Sequence, residues 1–176
     1  MTFDDGPVPG PTDFVLEQLK AHQAKATFFC IGNNLVQNNA LFREILEQGH
    51  AVGNHTYNHL KGWNTPNEIY LKDINACQDK IGNTALFRPP YGRIKRSQLK
   101  QLSSFKVVMW DVLTYDYSAS LGKEQCLKGI VKATRPGSIV VFHDSYKAEK
   151  NMKYALPRFL DHFSSKGFVF DSLSEL

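Results

Sequence analysis

The alternation of strand-like and helix-like segments constrains the fold of this chain most strongly. Short apolar segments typical of buried strands are followed by segments with helical periodicity along almost the whole sequence. The strand-like segments lie at residues 26–31, 106–110, 138–142 and 168–170. Strand–helix alternation predicts a parallel sheet covered by helices, either open or closed into a barrel. No repeat, linker or low-complexity segment interrupts the pattern, so we expect a single domain over residues 1–176.

Sequence signals also predict where the helices begin and end. Thr65, Pro66 and Glu68 form a capping-box pattern with proline at the first helical position, and Gly82 would end that helix. Further helices are predicted over residues 41–48, 123–133 and 155–165. Each of these is closely followed by a glycine, which commonly ends a helix.

The composition is that of a globular domain without a membrane span. The chain has 176 residues, of which 42% are hydrophobic and 22% are charged, and this is enough for one core. No apolar run approaches the roughly 18 residues of a spanning helix, and no intact signal peptide is present. Because the first residues are typical of the tail of a strand, we expect a targeting or linker segment upstream. If that segment is a signal, the protein lies outside the cytoplasm or in the cell envelope.

The charge pattern gives no sign of nucleic-acid binding. The net charge is +4, and the basic residues are scattered along the chain. One basic group lacks interleaved aromatic residues and is expected to be a solvated surface at the start of a helix; it comprises Arg93, Lys95, Arg96 and Lys100. The sequence therefore predicts no nucleic-acid partner, and it leaves the oligomeric state open.

Several cysteines and histidines have no spacing that indicates chemistry. The cysteines match no zinc-binding or redox pattern and lie in apolar contexts. Buried free thiols are therefore expected at Cys30, Cys77 and Cys126. Capping, helix-dipole or surface roles are expected for His22, His50 and His162.

Polar residues appear where the predicted strands end, which is where reactive residues belong in a parallel α/β fold. Asp4 and Asp5 follow the first strand and precede a Gly-Pro turn. Neighbouring side chains diverge, so one carboxylate can bind a metal while the other points elsewhere. His55 and His59 have the spacing that projects two ligands from one side of a helical turn. Two histidines and one aspartate leave coordination positions open, which is typical of a catalytic metal site.

Three more polar groups follow later strands. Arg88 and Tyr91 flank a proline pair, which stiffens the loop and can hold the arginine side chain and the tyrosine amide in place. Asp116 and Tyr117 follow another apolar segment, and His143 ends a third. Each signal alone also fits an ordinary turn or a structural histidine. Their joint occurrence at strand ends indicates an active site.

Taken together and in this order, the motifs resemble those of the polysaccharide deacetylases, also called the NodB-homology or carbohydrate esterase family four. The resemblance covers essentially the whole chain. The motifs are Thr2-Phe3-Asp4-Asp5, His55-Thr56-Tyr57-Asn58-His59, Arg88-Pro89-Pro90-Tyr91-Gly92, Asp116-Tyr117 and Val141-Phe142-His143. The resemblance implies a distorted, incomplete (β/α) barrel with about seven parallel strands and outer helices.

The resemblance also implies the metal ligands and the activity. Asp5, His55 and His59 would bind a divalent metal, usually zinc, although this ligand set also suits cobalt, manganese or iron. The implied activity is removal of N-acetyl groups from acetylated amino-sugar polysaccharides or oligosaccharides of peptidoglycan or chitin type. Two alternatives remain, an O-acetyl carbohydrate esterase acting on a xylan-type glycan and a non-catalytic carbohydrate-binding relative.

The same resemblance implies that the other motif residues activate water, stabilise the oxyanion and protonate the leaving group. Asp4 would be the catalytic base, held by Arg88. His143 would be the acid, oriented by Asp116, and the Tyr91 backbone N–H would stabilise the oxyanion.

The chain also departs from the family pattern around its fourth and fifth motifs. Tyr117 stands where the family has tryptophan, Leu113 stands at an acidic position, and Val141 replaces leucine. Tyr117 and Val141 still offer apolar walls for an acetyl methyl group, and Asp111 lies two residues before Leu113.

Overall fold

A sheet of seven parallel strands forms the centre of the molecule in a computed structural model, which describes residues 1–173. The last three positions of the predicted domain lie outside the described residues. The strands are β1 (Thr2–Asp4), β2 (Thr27–Cys30), β3 (Ala51–Asn54), β4 (Leu86–Phe87), β5 (Lys106–Val107), β6 (Val112–Leu113) and β7 (Val140–His143). The sheet curls into a half-barrel, so the predicted incomplete (β/α) barrel is confirmed.

Helices surround the outer face of the sheet. In the described part of the chain they are α1 (Pro11–Ala21), α2 (Gly32–Gln37), α3 (Asn39–Glu47), α4 (Asn67–Ile81), α5 (Arg96–Leu99), α6 (Lys123–Ala133) and α7 (Glu149–Ser164). The prediction over 123–133 matches α6, and the predicted end of α4 at Gly82 is correct. None of the described helices has the length and apolar character needed to cross a membrane.

The core lies between the sheet and the helices. The strand order is β5–β4–β3–β2–β1–β7–β6, which places β1 between β2 and β7. The Phe3 ring lies 5.1 Å from that of Phe28 and 5.9 Å from that of Phe142. On the helical side, Phe159 of α7 packs edge-on against Phe142. Alternate strand residues face opposite sides of the sheet, so Thr2 and Asp4 face the inside of the half-barrel.

The register of the sheet brings the polar strand ends to one edge. Asp4 pairs with Phe29 on β2 and with His143 on β7. Asn54 at the end of β3 pairs with Cys30 and Phe87. Because all the strands run parallel, the loops after them open on the same side of the molecule.

Two strand assignments differ from the sequence prediction. Val112 and Leu113 form β6, which the sequence analysis missed because it has only two residues in a polar stretch. Residues 168–170 are not a strand. The Phe168 N–H closes a turn onto Phe163, and the Phe170 carbonyl accepts a single bond from Lys25 beside β2.

Two helix starts also differ. Helix α4 begins at Asn67 with Pro66 as its N-cap and no side-chain cap, so the predicted capping box is wrong. The Thr65 hydroxyl instead donates to the Lys61 carbonyl. Helix α7 begins at Glu149, six residues before the predicted start. It continues through Pro157, although proline usually breaks or kinks a helix.

The remaining cysteine and histidine predictions are mostly confirmed. Free, buried thiols are found at Cys30, Cys77 and Cys126. The His22 ring bonds to the Gln18 carbonyl at the end of α1, as expected for a capping residue. His50 differs, because it is buried against the Phe28 ring, and burial lowers its pKa to about 4.

Candidate active site

A cleft of about 650 Å³ opens at the edge of the sheet where the strands end. The side chains that line it come from the loops after most of the strands. Among them are Asp4, Asp5, His55, His59, Tyr91, Trp110, Leu113, Tyr117 and His143. The structure thus gathers into one cleft residues that are far apart in the chain, and seven of those named here belong to the motifs found in the sequence.

Asp5, His55 and His59 form a cluster that could hold a metal ion. Their potential ligand atoms all lie within 4.8 Å of one another. The Asp5 Oδ1 atom is 3.2 Å from His59 Nε2 and 3.7 Å from His55 Nε2. Burial would raise the pKa of Asp5, but the hydrogen bond from His59 and the charges of the nearby histidines lower it well below its usual range.

The environment of His55 fits a metal ligand. Its Nδ1 atom lies 2.7 Å from the Arg88 carbonyl oxygen, which fixes the proton on Nδ1 and leaves the Nε2 lone pair facing Asp5. Burial lowers the pKa of His55 to about 4, so the ring is neutral at physiological pH. A neutral imidazole, a second histidine and a carboxylate are the donor set that a catalytic divalent metal requires.

Asp4 lies beside this cluster but is bound differently. Its Oδ1 atom accepts a 2.7 Å bond from Arg88 Nη1. Arg88 is completely buried, and it also donates to the Thr2 hydroxyl and to the carbonyl of Val108. Its guanidinium lies 4.1 Å from the centre of the Phe29 ring. These contacts fix the carboxylate of Asp4 in one orientation at the cleft floor.

His143 and Asp116 meet on the other side of the cleft. One oxygen of Asp116 is 2.7 Å from His143 Nδ1, and the other accepts a 2.8 Å bond from the His143 backbone N–H. Burial alone would lower the pKa of His143. The charge and hydrogen bond of Asp116, with smaller contributions from Asp5 and Asp4, instead raise it to about 9. His143 is therefore protonated at neutral pH.

The backbone of the cleft loops is strained at several positions. A positive φ is adopted by six non-glycine residues among those described, and five of them lie in the loops around this cleft: Asp5, Thr56, His59, Tyr91 and Tyr115. Strained backbone of this kind concentrates at functional sites, where the surrounding structure holds it in place. Asp73 of α4 provides such support, since its carboxylate accepts the backbone N–H groups of Tyr57 and Asn58.

The position of Tyr91 leaves its backbone N–H free to act on a ligand. In the described part of the chain this N–H has no acceptor outside its own short 3-10 turn. The ring of Tyr91 lies 4.7 Å from that of His59 and is 60% exposed at the cleft mouth.

The apolar wall of the cleft differs in part from the sequence prediction. Tyr117 lines the cleft, and its ring packs edge-on against His143 at 4.9 Å. Val141 was expected to be a second wall, but it is completely buried and does not line the cleft. Leu113, its partner in the sheet, takes that position instead. Asp111 does not reach the cleft, because it accepts bonds from Ser138 and from the backbone of Ile139. 

Sequence analysis missed Asp144, which directly follows His143. This buried carboxyl accepts bonds from the Gly6 backbone N–H and the Thr12 hydroxyl. Burial raises its pKa to about 8. A Cβ atom on Gly6 would come within 1.9 Å of Asp144, so only glycine fits after Asp5. Asp144 thereby holds the loop that follows β1 and carries Asp5.

A curled (β/α) half-barrel with carboxylates and histidines gathered at its strand ends is an arrangement typical of a hydrolase, and here it includes a candidate metal centre. The family described as polysaccharide deacetylase matches residues 1–110. The chain is 34% identical to a peptidoglycan-N-acetylglucosamine deacetylase of Bacillus cereus, over its whole length and 86% of that protein. It is 33% identical to the deacetylase PgdA of Listeria monocytogenes, of which it spans 38%.

The fold comparison agrees with the sequence comparison. A crystal structure of a peptidoglycan N-acetylglucosamine deacetylase superposes with a TM-score of 0.92 and 29% identity, over 98% of this chain and 84% of that one. The chain therefore belongs to the polysaccharide deacetylase family, the NodB-homology or carbohydrate esterase family four, and is a hydrolase of the carbohydrate deacetylase type.

Proposed function

We propose that this chain is a metal-dependent deacetylase that removes N-acetyl groups from amino-sugar glycans of the peptidoglycan or chitin type, and that residues 1–176 form its catalytic domain. The observation that carries the proposal is the presence in one cleft of a candidate metal site, a buried carboxylate and a protonated histidine. The similarity to enzymes named peptidoglycan deacetylases supports the substrate class.

Asp5, His55 and His59 would hold the metal. A divalent metal bound there supplies Lewis acidity, which activates water and polarises a carbonyl oxygen. The ligand set suits zinc, as the resemblance implies, and also cobalt, manganese or iron. The hydrogen bond from His55 to the Arg88 carbonyl links the metal site to the arginine that holds Asp4.

The chain's own residues supply the proton transfers. Asp4, fixed by Arg88, accepts a proton from the attacking water. The Tyr91 N–H donates to the oxyanion that develops on the acetyl group, since it is free of other acceptors outside its turn. His143, protonated because of Asp116, then donates a proton to the departing sugar nitrogen.

The cleft walls would position the acetyl group. Tyr117 and Leu113 present apolar surface beside His143, and Trp110 lines the same cleft. We infer that the acetyl methyl packs against Tyr117 and Leu113, rather than against Val141.

Acetate release from a panel of defined glycans tests the proposal, with protein reconstituted with zinc, cobalt, manganese or iron. We expect release from N-acetylated glucosamine oligomers or peptidoglycan fragments, and little from an O-acetylated xylan. Release from the xylan alone would favour an O-acetyl esterase. Binding of glycans without any acetate release would favour a non-catalytic relative.

A further inference from the structure

A second cavity, of about 570 Å³, lies beside the catalytic cleft. It is formed by the loop at residues 118–122, the first residues of α6, and the segment that leads into α7. We call it the side cavity. Lys147 lines both the side cavity and the catalytic cleft, so the two spaces adjoin.

The side cavity is held in shape by one buried side chain. The amide of Asn151, on α7, donates to the carbonyls of Asp116, Ser118 and Leu121. These three bonds tie the cavity loop to α7, the helix that carries Lys150. The cavity is therefore a formed feature next to the acid residue, and no rearrangement of the loop is needed to create it.

The side cavity carries an excess of positive charge. Its lining includes three lysines, Lys123, Lys147 and Lys150. The lining also contains two acidic residues: Glu124, which lies 4.0 Å from Lys123, and Asp116, which is buried and bonded to His143. In residues 1–173, no carboxylate lies within ion-pair distance of Lys147 or Lys150. Two ammonium groups are thus available to a negatively charged ligand.

The position of these lysines does not serve the stability of α7. Lys150 is the second residue of that helix, where a positive charge opposes the helix dipole. The neighbouring Glu149 pairs with Lys153 and not with Lys150. Lys147 lies 5.4 Å from the centre of the Tyr117 ring, which itself contacts His143. The Tyr117 ring therefore lies between Lys147 and His143, the proposed acid.

We propose that the side cavity is a subsite for a carboxylate carried by the glycan, so that the substrate of this chain is an anionic glycan. This inference rests on the proposed deacetylase function, which fixes the acetylated sugar beside His143. A sugar next to the reacting one would then place its acidic substituent between Lys147 and Lys150. The lining of the catalytic cleft also contains two further basic residues, Lys61 and Arg93. The carboxylate can come from an ether-linked acid on the sugar or from an attached peptide.

The test measures kcat/KM for acetate release on three matched oligosaccharides with the metal-reconstituted protein. One is a neutral N-acetylglucosamine oligomer, one carries lactyl ether carboxylates, and one carries these acids linked to a short peptide. We expect wild type to prefer a carboxylate-bearing oligomer, and the arm with the larger preference identifies the source of the acid. Lys150→Gln should lower the ratio of anionic to neutral kcat/KM by about fivefold, mainly through KM. Lys150→Arg, which keeps the charge, should restore it.

Lys128→Gln is the matched control, because Lys128 is exposed on α6 outside the cavity lining and should leave the ratio unchanged. Methyl-esterified oligomers should lose the preference, and raising the salt concentration should weaken it. An unchanged ratio in Lys150→Gln and in Lys123→Gln/Lys150→Gln would overturn the subsite.

Binding of the same oligosaccharides, measured by calorimetry, separates this inference from the proposed function. If no glycan releases acetate but the anionic oligomer binds more tightly and Lys150→Gln removes that advantage, the subsite stands and the deacetylase proposal fails. If acetate is released while anionic and neutral oligomers bind equally, the deacetylase proposal stands and the subsite is wrong.

Discussion

The imidazoles of His55 and His143, on the two sides of the cleft, have opposite charge states. His55, on the side of the candidate metal site, gives its Nδ1 proton to the neutral Arg88 carbonyl, and burial lowers its pKa to about 4. His143, on the other side, contacts the Asp116 carboxylate, which overcomes the effect of burial and raises its pKa to about 9. The accepting group on Nδ1 thus decides whether the ring can bind a metal or donate a proton.

The two sides also differ in how the backbone holds them. Asp5, Thr56 and His59 on the metal side all adopt a positive φ, whereas His143 ends a regular strand. Strained loops need hydrogen bonds that hold their backbone in place. Asp73 and Asp144 provide them here, by accepting backbone N–H groups from the loops of the metal side. His143, in contrast, is held in place by the pairing of its strand in the sheet and by the carboxylate of Asp116.

Loss of a metal-side histidine should have the largest effect. His59→Ala removes one of three ligands, so metal affinity should fall strongly and acetate release by about 10³-fold or more, since Lewis acidity contributes several kcal/mol. Metal analysis should give about one ion per wild-type chain. The fold should persist, because His59 is partly exposed on a loop. Full activity of the metal-free wild type would contradict the metal assignment.

Loss of the acid should come next and should depend on the leaving group. His143→Ala should lower kcat for an acetamide by about 10³-fold, because an amine must be protonated as it departs. An activated acetyl ester, whose phenolate leaves without a proton, should be affected far less. His162→Ala serves as a control for loss of a histidine outside the cleft. Equal slowing of both substrates would remove His143 from the acid role.

The base should be separable from the metal ligands. Asp4→Asn keeps the shape of the side chain and removes its charge, so kcat should fall by roughly 10² or more. Metal content should stay near that of wild type, because Asp4 is not in the metal cluster. If Asp4→Asn abolishes metal binding and Asp5→Asn does not, the assignments of the two aspartates are interchanged.

Asp116→Asn should cause the smallest of these changes in rate. It removes the negative charge that raises the pKa of His143 above that of His55. The acid works in its protonated form, so activity falls as the pH rises through its pKa. Without the Asp116 charge, burial dominates and that pKa falls. The alkaline limb of the pH–rate profile should therefore move to lower pH by more than about one unit. An unmoved limb would show that another group sets it.

Sequence patterns predicted the parts of this site that depend on single strands and their following loops. Asp4, His55 and His143 were located because each follows a recognisable apolar segment, and parallel strands end at a common edge. Asp144 was missed, since its carboxyl acts on Gly6, a partner that only the tertiary fold brings near.

The cleft wall was predicted less well for a related reason. Val141 follows the strand pattern, but it lies on β7 between β1 and β6, pairs with Thr2 and Leu113, and is completely buried. Leu113 lies at the same depth as Val141 but on the edge strand β6, where it lines the cleft, and this two-residue strand carries too little apolar sequence to be recognised.

The charge states of His55 and His143 can be measured directly by following imidazole nitrogen resonances during a pH titration of the metal-free protein. At pH 7, His143 should carry protons on both ring nitrogens and should titrate near pH 9. His55 should be neutral, with its proton on Nδ1, and should titrate near pH 4. A neutral His143 or a charged His55 at pH 7 would contradict the account.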